Sequence, residues 1–220
     1  MKIAALGTPE KLEELQSVLS TVGLSYTRLE STKNIHTAGY DFVFDLNFDD
    51  CVAGIEDYLL LPETTFIILS GVKIQIEAVL PEKLWKNTVV MNAMRSFIKR
   101  PSVEFATLSN SFNPEAFVSM GWSSFNRVDS RLGLVSARII CMIINEAFFT
   151  LQEGTAGKED IDKGMKLGTA YPYGPFEWCD MIGIKDVYET LAALYKDTRD
   201  ERYKICNSLQ TTYLKSKICA

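Results

Sequence analysis

Few residues in this chain have the types and spacing that catalysis requires. Its 220 residues include a single histidine, His36, in a polar stretch at 31–39. Histidine is a common general base because its pKa lies near neutrality. This stretch lies between two strand-like segments, however, and surface loops often carry polar residues that have no chemical role. We therefore expect His36 to be a surface loop residue.

The turn after the first strand-like run stands where dinucleotide-binding folds carry G-x-G-x-x-G, which brings backbone close to the pyrophosphate at a helix N-terminus. Here the turn reads LGTPEKL, and only Gly7 fits the pattern. Pro9 lacks an N–H group, and Glu10 adds negative charge where a phosphate would lie. Glu30 follows the second strand with roughly the spacing of a ribose-binding acid. Gly7 and Glu30 are therefore the candidate NAD-binding residues.

The cysteines favour neither a disulfide framework nor a metal site. There are five of them, with wide spacings and no C-x-x-C motif: Cys51, Cys141, Cys179, Cys206 and Cys219. This pattern predicts free thiols in a reducing, cytoplasmic compartment and no zinc site. We expect no metal cofactor.

Composition excludes some partners. A net charge of −5 and a pI near 5.1 argue against nucleic acid and against a membrane surface, because both would need a basic face. The apolar segment 132–151 approaches membrane-spanning length. It carries Arg138, Asn145 and Glu146, which are costly in hydrocarbon, so we expect a buried core helix. No secretory signal is expected before the first strand.

Strand and helix signals alternate in the first part of the chain. We expect strands at 3–6, 24–30, 40–46, 65–69 and 88–91, with helices at 9–22, 51–60 and 74–80. Residues 101–126 are harder to assign, apart from a helix at 114–120 and a last strand near 125–128. This alternation predicts a Rossmann-like α/β domain, which we assign to residues 1–129.

Strand signals stop after residue 130, and residues 130–220 are expected to form an all-α domain. The first helix, 132–153, is apolar on nearly every face. A second, 158–167, is expected to stop at Gly168, and Asp162 and Lys166 would form a surface pair on it. The Pro/Gly-rich turn 171–175 is interpreted as a fixed corner before further helices in 176–199 and 201–217.

The stretch Arg131–Gly183 contains long, specific motifs. From Gly133 the chain reads GLVSAR, six residues, then NEA; from Glu159 it reads EDIDKGMKLGTAYPYGPFE. These motifs resemble the C-terminal domain of the 3-hydroxyacyl-CoA dehydrogenase family, with G-F-x-x-N-R, N-E-A and E-D-I-D-x-A-M-K-L-G-x-G-Y-P-x-G-P-F-E. The resemblance implies a helical domain of the 6-phosphogluconate dehydrogenase C-terminal type behind a Rossmann-like domain. It also implies NAD-dependent oxidation of 3-hydroxyacyl-CoA in fatty-acid metabolism, an acyl-CoA ligand and a homodimer formed through the helical domain.

The residues that the family uses for this reaction are absent from the matching positions. The family has a His held by a Glu, and an Asn and a Ser that bind the reacting oxygen. Those positions fall near Arg95, Thr107, Ala137 and Lys73 in this chain.

Three hypotheses follow from these residues. The chain is a short dehydrogenase of the family, or a non-catalytic dimerisation or acyl-CoA-binding member, or a related reductase with another base, such as Lys73 or Lys99. Nothing in the sequence selects either lysine. The missing residues favour the non-catalytic hypothesis.

Overall fold

The computed structural model describes residues 1–218, so Cys219 lies outside the described residues. It divides into two units, Met1–Leu134 and Val135–Ala220. The turn before the division belongs to the first unit, because the Gly133 N–H donates to the Val72 carbonyl and Leu134 packs among residues from the strands. Gly133 and Leu134 both have positive φ angles, 75° and 46°, so the apolar helix cannot begin at residue 132 as expected from the sequence.

The first unit is a Rossmann-like sheet with the strand order β2-β1-β3-β4-β5-β6-β7. Its strands are β1 Ile3–Leu6, β2 Tyr26–Arg28, β3 Phe42–Asp45, β4 Phe66–Ser70, β5 Thr88–Met91, β6 Ser102–Thr107 and β7 Ser124–Arg127. Neighbouring strands are parallel except β5 and β6. The α/β prediction is therefore confirmed, with β6 as a strand that the sequence did not reveal.

Side chains of the central strands alternate between two hydrophobic clusters. Ile3 and Phe44 pack in one cluster, while Ala4 and Val43 pack in the other. Because successive side chains of a strand point to opposite faces, the sheet is buried on both sides, as parallel sheets usually are.

Helices of the first unit are short except for the first. They are α1 Pro9–Leu19, α2 Ile55–Tyr58, α3 Ile76–Val79, α4 Glu82–Trp85 and α5 Glu115–Ser119, with 3-10 turns at Ser20–Val22 and Ile35–Thr37. The helix expected over 51–60 is limited to α2, and α4 was not expected. Helix α1 buries Leu12, Leu15, Val18 and Leu19 against the sheet, as its spacing predicts.

The second unit is entirely helical within the described residues. It comprises α6 Ser136–Gln152, α7 Lys158–Thr169, α8 Pro175–Ile182, α9 Ile184–Thr198, a 3-10 turn at Glu201–Tyr203 and α10 Asn207–Ile218. The expected end of α7 at Gly168 is wrong, because the helix continues to Thr169 and ends at Ala170 in a left-handed conformation. No helix within residues 1–218 has both the length and the apolar character needed to cross a membrane.

Candidate functional site

The switch point of the sheet lies between β1 and β3. The chain pairs β1 with β2 on one side and then returns to place β3 on the other side of β1. In open α/β sheets, ligands bind outside the carboxyl ends of the strands at such a point. The candidate cofactor site of this unit is therefore the crevice beyond Leu6 and Asp45, which we call the switch-point crevice.

Side chains of the protein lie inside this crevice. Leu46, directly after β3, is fully buried, and a methyl group on Gly7 would come within 3.1 Å of its Cβ atom. Gly7 thus allows close approach of Leu46. Lys11 of α1 is only 3% exposed and donates from Nζ to the Leu46 carbonyl at 2.7 Å. The turn after β1 and the end of β3 are therefore bridged directly.

The first turn of α1 satisfies its backbone donors locally. Pro9 has no N–H group. The Thr8 hydroxyl accepts the Lys11 N–H at 3.5 Å. A hydrogen bond from its own backbone N–H, followed by one with Thr8, lowers the pKa of the Glu10 carboxyl. Negative charge at this helix N-terminus is therefore supplied by the chain itself.

Two carboxylates after β3 accept hydrogen bonds from groups in the segment beyond β4. Asp49 Oδ2 accepts the backbone N–H groups of Val72 and Lys73 at 2.9 and 3.2 Å. Asp50 accepts from Lys73 Nζ at 2.6 Å and lies 3.8 Å from Lys11 Nζ. Each lysine charge thus has an acidic neighbour supplied by the chain.

Asp45, at the end of β3, is nearly buried. Its Oδ2 accepts from the Tyr58 hydroxyl at 2.7 Å, and its Oδ1 accepts from the Asn47 N–H at 3.1 Å. Burial raises the pKa of the Asp45 carboxyl, partly offset by these hydrogen bonds. Burial also raises the pKa of the Tyr58 hydroxyl, with the Asp45 charge as the next cause.

Glu30 and His36 lie at the surface. The Glu30 side chain is 82% exposed and pairs with Arg28 Nε at 3.1 Å. His36 lies exposed on the 3-10 turn Ile35–Thr37, so the expectation of a surface residue is confirmed.

In the helical unit, the junction between α7 and α8 has a dense set of polar contacts. Asp162 is 8% exposed and accepts the N–H groups of Phe176 and Glu177 at 2.8 and 3.1 Å. Glu177 in turn accepts hydrogen bonds from the Gly174 N–H at 2.9 Å and from Lys166 Nζ at 2.5 Å. The expectation of an exposed Asp162–Lys166 pair is therefore wrong, because Asp162 caps α8 from the neighbouring helix.

Gly174 is required by this junction. Its φ of −76° is ordinary, but a Cβ atom there would lie 2.3 Å from the Asp162 side chain. The turn before α8 also packs Tyr171 and Tyr173 against Trp178, with ring centroids 5.4 and 6.2 Å apart. The interpretation of this turn as a fixed corner is confirmed.

A buried amide joins α6 to the segment before α10. Asn145, 1% exposed, donates to the Lys204 carbonyl at 2.9 Å and accepts the Cys206 N–H at 2.9 Å. Arg138 on the same helix donates to the Tyr203 hydroxyl at 3.2 Å. These motif residues therefore hold the helices together.

The buried thiols have little nucleophilic character. Burial raises the pKa of the Cys179 thiol to about 12, and it also raises the pKa of Cys141 above its ordinary value. Because the thiolate is the reactive form, both cysteines act as small core residues, as Cys141 was expected to do.

One flank of α6 is open. A cavity of about 430 Å³ lies between α6, α7 and α8 and is lined by apolar side chains, among them Ile139, Met142, Ile143, Ile161, Met165 and Pro175. Ile139 is 43% exposed. Glu146 and Arg202 also line this cavity, which we call the α6 groove.

The helices of the second unit are similar to a domain of known proteins. Residues 133–218 match the model of the 3-hydroxyacyl-CoA dehydrogenase C-terminal domain. This match lies in the helical part of the chain. It is 41% identical over 78 residues to 3-hydroxyadipyl-CoA dehydrogenase of Escherichia coli K12, and 41% identical over 69 residues to 3-hydroxybutyryl-CoA dehydrogenase of Bradyrhizobium diazoefficiens.

These alignments cover only part of each protein. They include 36% and 31% of this chain, and 16% and 24% of the two relatives. At the level of fold the likeness is wider, since (S)-3-hydroxybutyryl-CoA dehydrogenase from Ralstonia eutropha superimposes with a TM-score of 0.73 at 20% identity over 98% of this chain and 94% of that chain. The fold of the family's dehydrogenases therefore extends over both units.

The structure places the four family positions in unrelated settings. Arg95 lies in the segment after β5, and Thr107 ends β6 with a buried hydroxyl that has no hydrogen-bond partner. Ala137 is fully buried on α6, and Lys73 is paired with Asp50.

The residues at the switch-point crevice do not fit the NAD of the 3-hydroxyacyl-CoA dehydrogenase family. Leu46 packs on Gly7, Lys11 crosses the crevice, and Glu10 places a carboxylate in the first turn of the helix that would face a pyrophosphate. Glu30 has the expected place after β2 but pairs with Arg28.

Sequence reasoning missed Lys11, Leu46, Asp49 and Asp50. The clearest available signal was FDLNFDD, a run with three acids that begins at the carboxyl end of the buried strand β3. Such a run marks the edge of the sheet where ligands bind, or where side chains of the protein occupy the same space.

Proposed function

We propose that this chain is a 3-hydroxyacyl-CoA dehydrogenase family member that does not carry out the family's hydride transfer and acts through self-association of its helical unit. The open apolar flank of α6 carries the proposal. An apolar helix face that stays exposed in a folded unit marks an interaction surface.

Three features of the chain support the loss of activity. The general base and its orienting acid are replaced by Arg95 and Thr107, which supply neither an imidazole nor a carboxylate. Ala137 has no polar side chain to bind a reacting oxygen. The crevice for NAD contains Lys11 and Leu46 instead.

A second copy of the chain is the proposed occupant of the α6 groove. In a two-fold dimer the same surface is used by both partners, so each apolar flank would cover the other. Glu146 and Arg202 lie in the same groove with opposite charges. A two-fold axis through the groove lets the Glu146 of each copy face the Arg202 of the other, which favours pairing of like surfaces.

The competing function is the family reaction itself, with NAD and an acyl-CoA ligand. It is tested by mixing the full chain with NADH and acetoacetyl-CoA and following absorbance at the nicotinamide band. We expect no rate above that of the mixture without protein. Saturable turnover would refute the non-catalytic proposal.

We expect the protein in the cytoplasm, where the free thiols of Cys51 and Cys206 stay reduced.

Self-association is tested by light scattering at micromolar concentration, where we expect a dimer. Ile139→Glu should raise the dimer Kd about tenfold or more, because it places a charge in an apolar contact. Val52→Glu is the matched control, since Val52 is also 43% exposed but lies in the α/β unit. A monomeric wild type, or equal effects of both substitutions, would contradict the proposal.

A further inference from the structure

We infer that Lys11 and the acids after β3 permanently close the switch-point crevice, so that the α/β unit is complete without a ligand and binds no dinucleotide. The inference rests on the proposed function and deepens it, because it names the residues that replace the cofactor. It concerns binding, whereas the proposal above concerns turnover and assembly.

A dinucleotide needs two things at this edge of a Rossmann sheet. It needs free N–H groups and positive potential at the N-terminus of the first helix, and it needs backbone that lies open between β1 and the next strand. In this chain Pro9 at the helix N-terminus has no N–H group. The Glu10 carboxylate accepts a hydrogen bond from the Glu10 backbone N–H. The first requirement is therefore not met.

The open backbone is missing as well. Leu46 is fully buried against Gly7, and Leu12, at the place of the third glycine, packs in the core cluster. A pyrophosphate beside Gly7 would require Leu46 to move out of a closely packed position. Because cores are packed at crystal-like density, such a movement disturbs the neighbouring strands.

Lys11 gives the closure its polar part. A lysine ammonium that is this deeply buried needs hydrogen-bond partners, and it has the Leu46 carbonyl at 2.7 Å and Asp50 at 3.8 Å. An incoming phosphate would compete with Asp50 for both Lys11 and Lys73, while lying close to the charge of Glu10. The two lysines are therefore neutralised from within and do not form an open anion site.

Backbone N–H groups beyond β4 are likewise bonded to an acid of the chain itself. The N–H groups of Val72 and Lys73 point to Asp49, so an internal carboxylate accepts donors at the strand end. Asp49 and Asp50 are adjacent in sequence, and both contact the segment after β4, while Asp50 also lies near Lys11 of α1. This arrangement explains why the segment after β3 is acidic.

The closing experiment titrates the full chain with NADH, NAD and ADP by isothermal calorimetry, and with thermal unfolding alongside. At about 1 mM ligand, any site with a micromolar Kd is saturated and raises the unfolding midpoint. We expect no saturable heat and no change in the midpoint for any of the three. Saturable binding of NADH by the wild-type chain would overturn the inference, even if no turnover follows and the proposed function stands.

Substitution tests the role of Lys11 separately. Lys11→Met keeps the apolar stem and removes the ammonium, so it should lower the unfolding midpoint by several degrees. Lys86→Met is the control, because Lys86 also pairs with an acid, Glu63, at 2.6 Å but has a 61% exposed side chain. Equal midpoints for the two variants would overturn the assignment of Lys11 as the closing residue. If Lys11→Met does not fold, the ligand titration of the wild type still decides the inference.

Discussion

The two units of this chain preserve different things. In the helical unit, the residues that identify the family are engaged in the fold: Asp162 caps α8, Glu177 bonds the Gly174 N–H, and Asn145 joins α6 to the segment before α10. In the α/β unit, the positions that would serve the family's chemistry hold Arg95, Thr107 and Lys73. Family likeness in sequence is thus strongest where residues stabilise structure.

This difference has a physical basis. A buried cap such as Asp162 is needed by the fold whether or not the protein is an enzyme, because its loss leaves backbone donors without partners. A general base is needed only for turnover. In a protein that does not carry out the reaction, the first kind of residue is still needed for stability and the second kind is not.

The largest expected effect is that of Asp162→Ala. It removes a buried acceptor of two N–H groups and should lower the free energy of unfolding by about 3 kcal/mol. Asp160→Ala, on the exposed first turn of α7, is the control and should cost within about 0.5 kcal/mol. Urea unfolding followed by circular dichroism measures both. Equal costs would mean that the motif does not serve the fold.

A smaller effect of opposite sign is expected for Asp45→Asn in the α/β unit. The folded-state pKa of Asp45 is raised by burial, so its ionisation opposes folding as pH rises above the ordinary value of 3.8. The variant should match the wild type below that pH and be more stable above it. Unfolding free energies measured at several pH values test this. A variant less stable than the wild type at neutral pH would show that the charge of Asp45 contributes to stability.

The smallest effect is expected for Lys166→Ala. The hydrogen bond from Lys166, followed by that from the Gly174 N–H, lowers the pKa of Glu177, so their contribution is present above pH 4.5 and is lost as pH falls through the folded-state pKa. Because both side chains are more than a third exposed, salt screens the pair. The midpoint of unfolding should fall slightly at low salt and remain unchanged at high salt. A large decrease of the midpoint that is independent of salt would contradict this, and would mean that Lys166 stabilises the fold as much as Asp162.

The sequence predicts most of the fold because its signals are local. Strand β5 and the start of α1 at Pro9 follow from hydrophobic spacing and capping. Strand β6 was missed, although Val103 and Phe105 alternate with the half-buried Glu104, because Ser and Pro residues flank it. The antiparallel pairing of β6 with β5 depends on contacts that are distant in sequence.

At the candidate site, the sequence predicts which catalytic residues are absent but not which residues occupy the crevice. Absent residue types, such as the missing histidine near Arg95, can be read from the sequence directly. Lys11 is buried, which is rare for lysine, and its partner Leu46 is 35 residues away. Asp162 accepts from residues 14 and 15 positions later. Such pairs are defined by tertiary structure, so periodicity and spacing do not reveal them.

The rate of NADH oxidation by this 220-residue chain in the presence of acetoacetyl-CoA tests the central claim most directly. The comparison of the two units predicts a rate equal to that of the protein-free mixture, at any concentration of either ligand. A rate that saturates with both NADH and acetoacetyl-CoA would contradict it, and would mean that the α/β unit performs hydride transfer with residues other than those of the family.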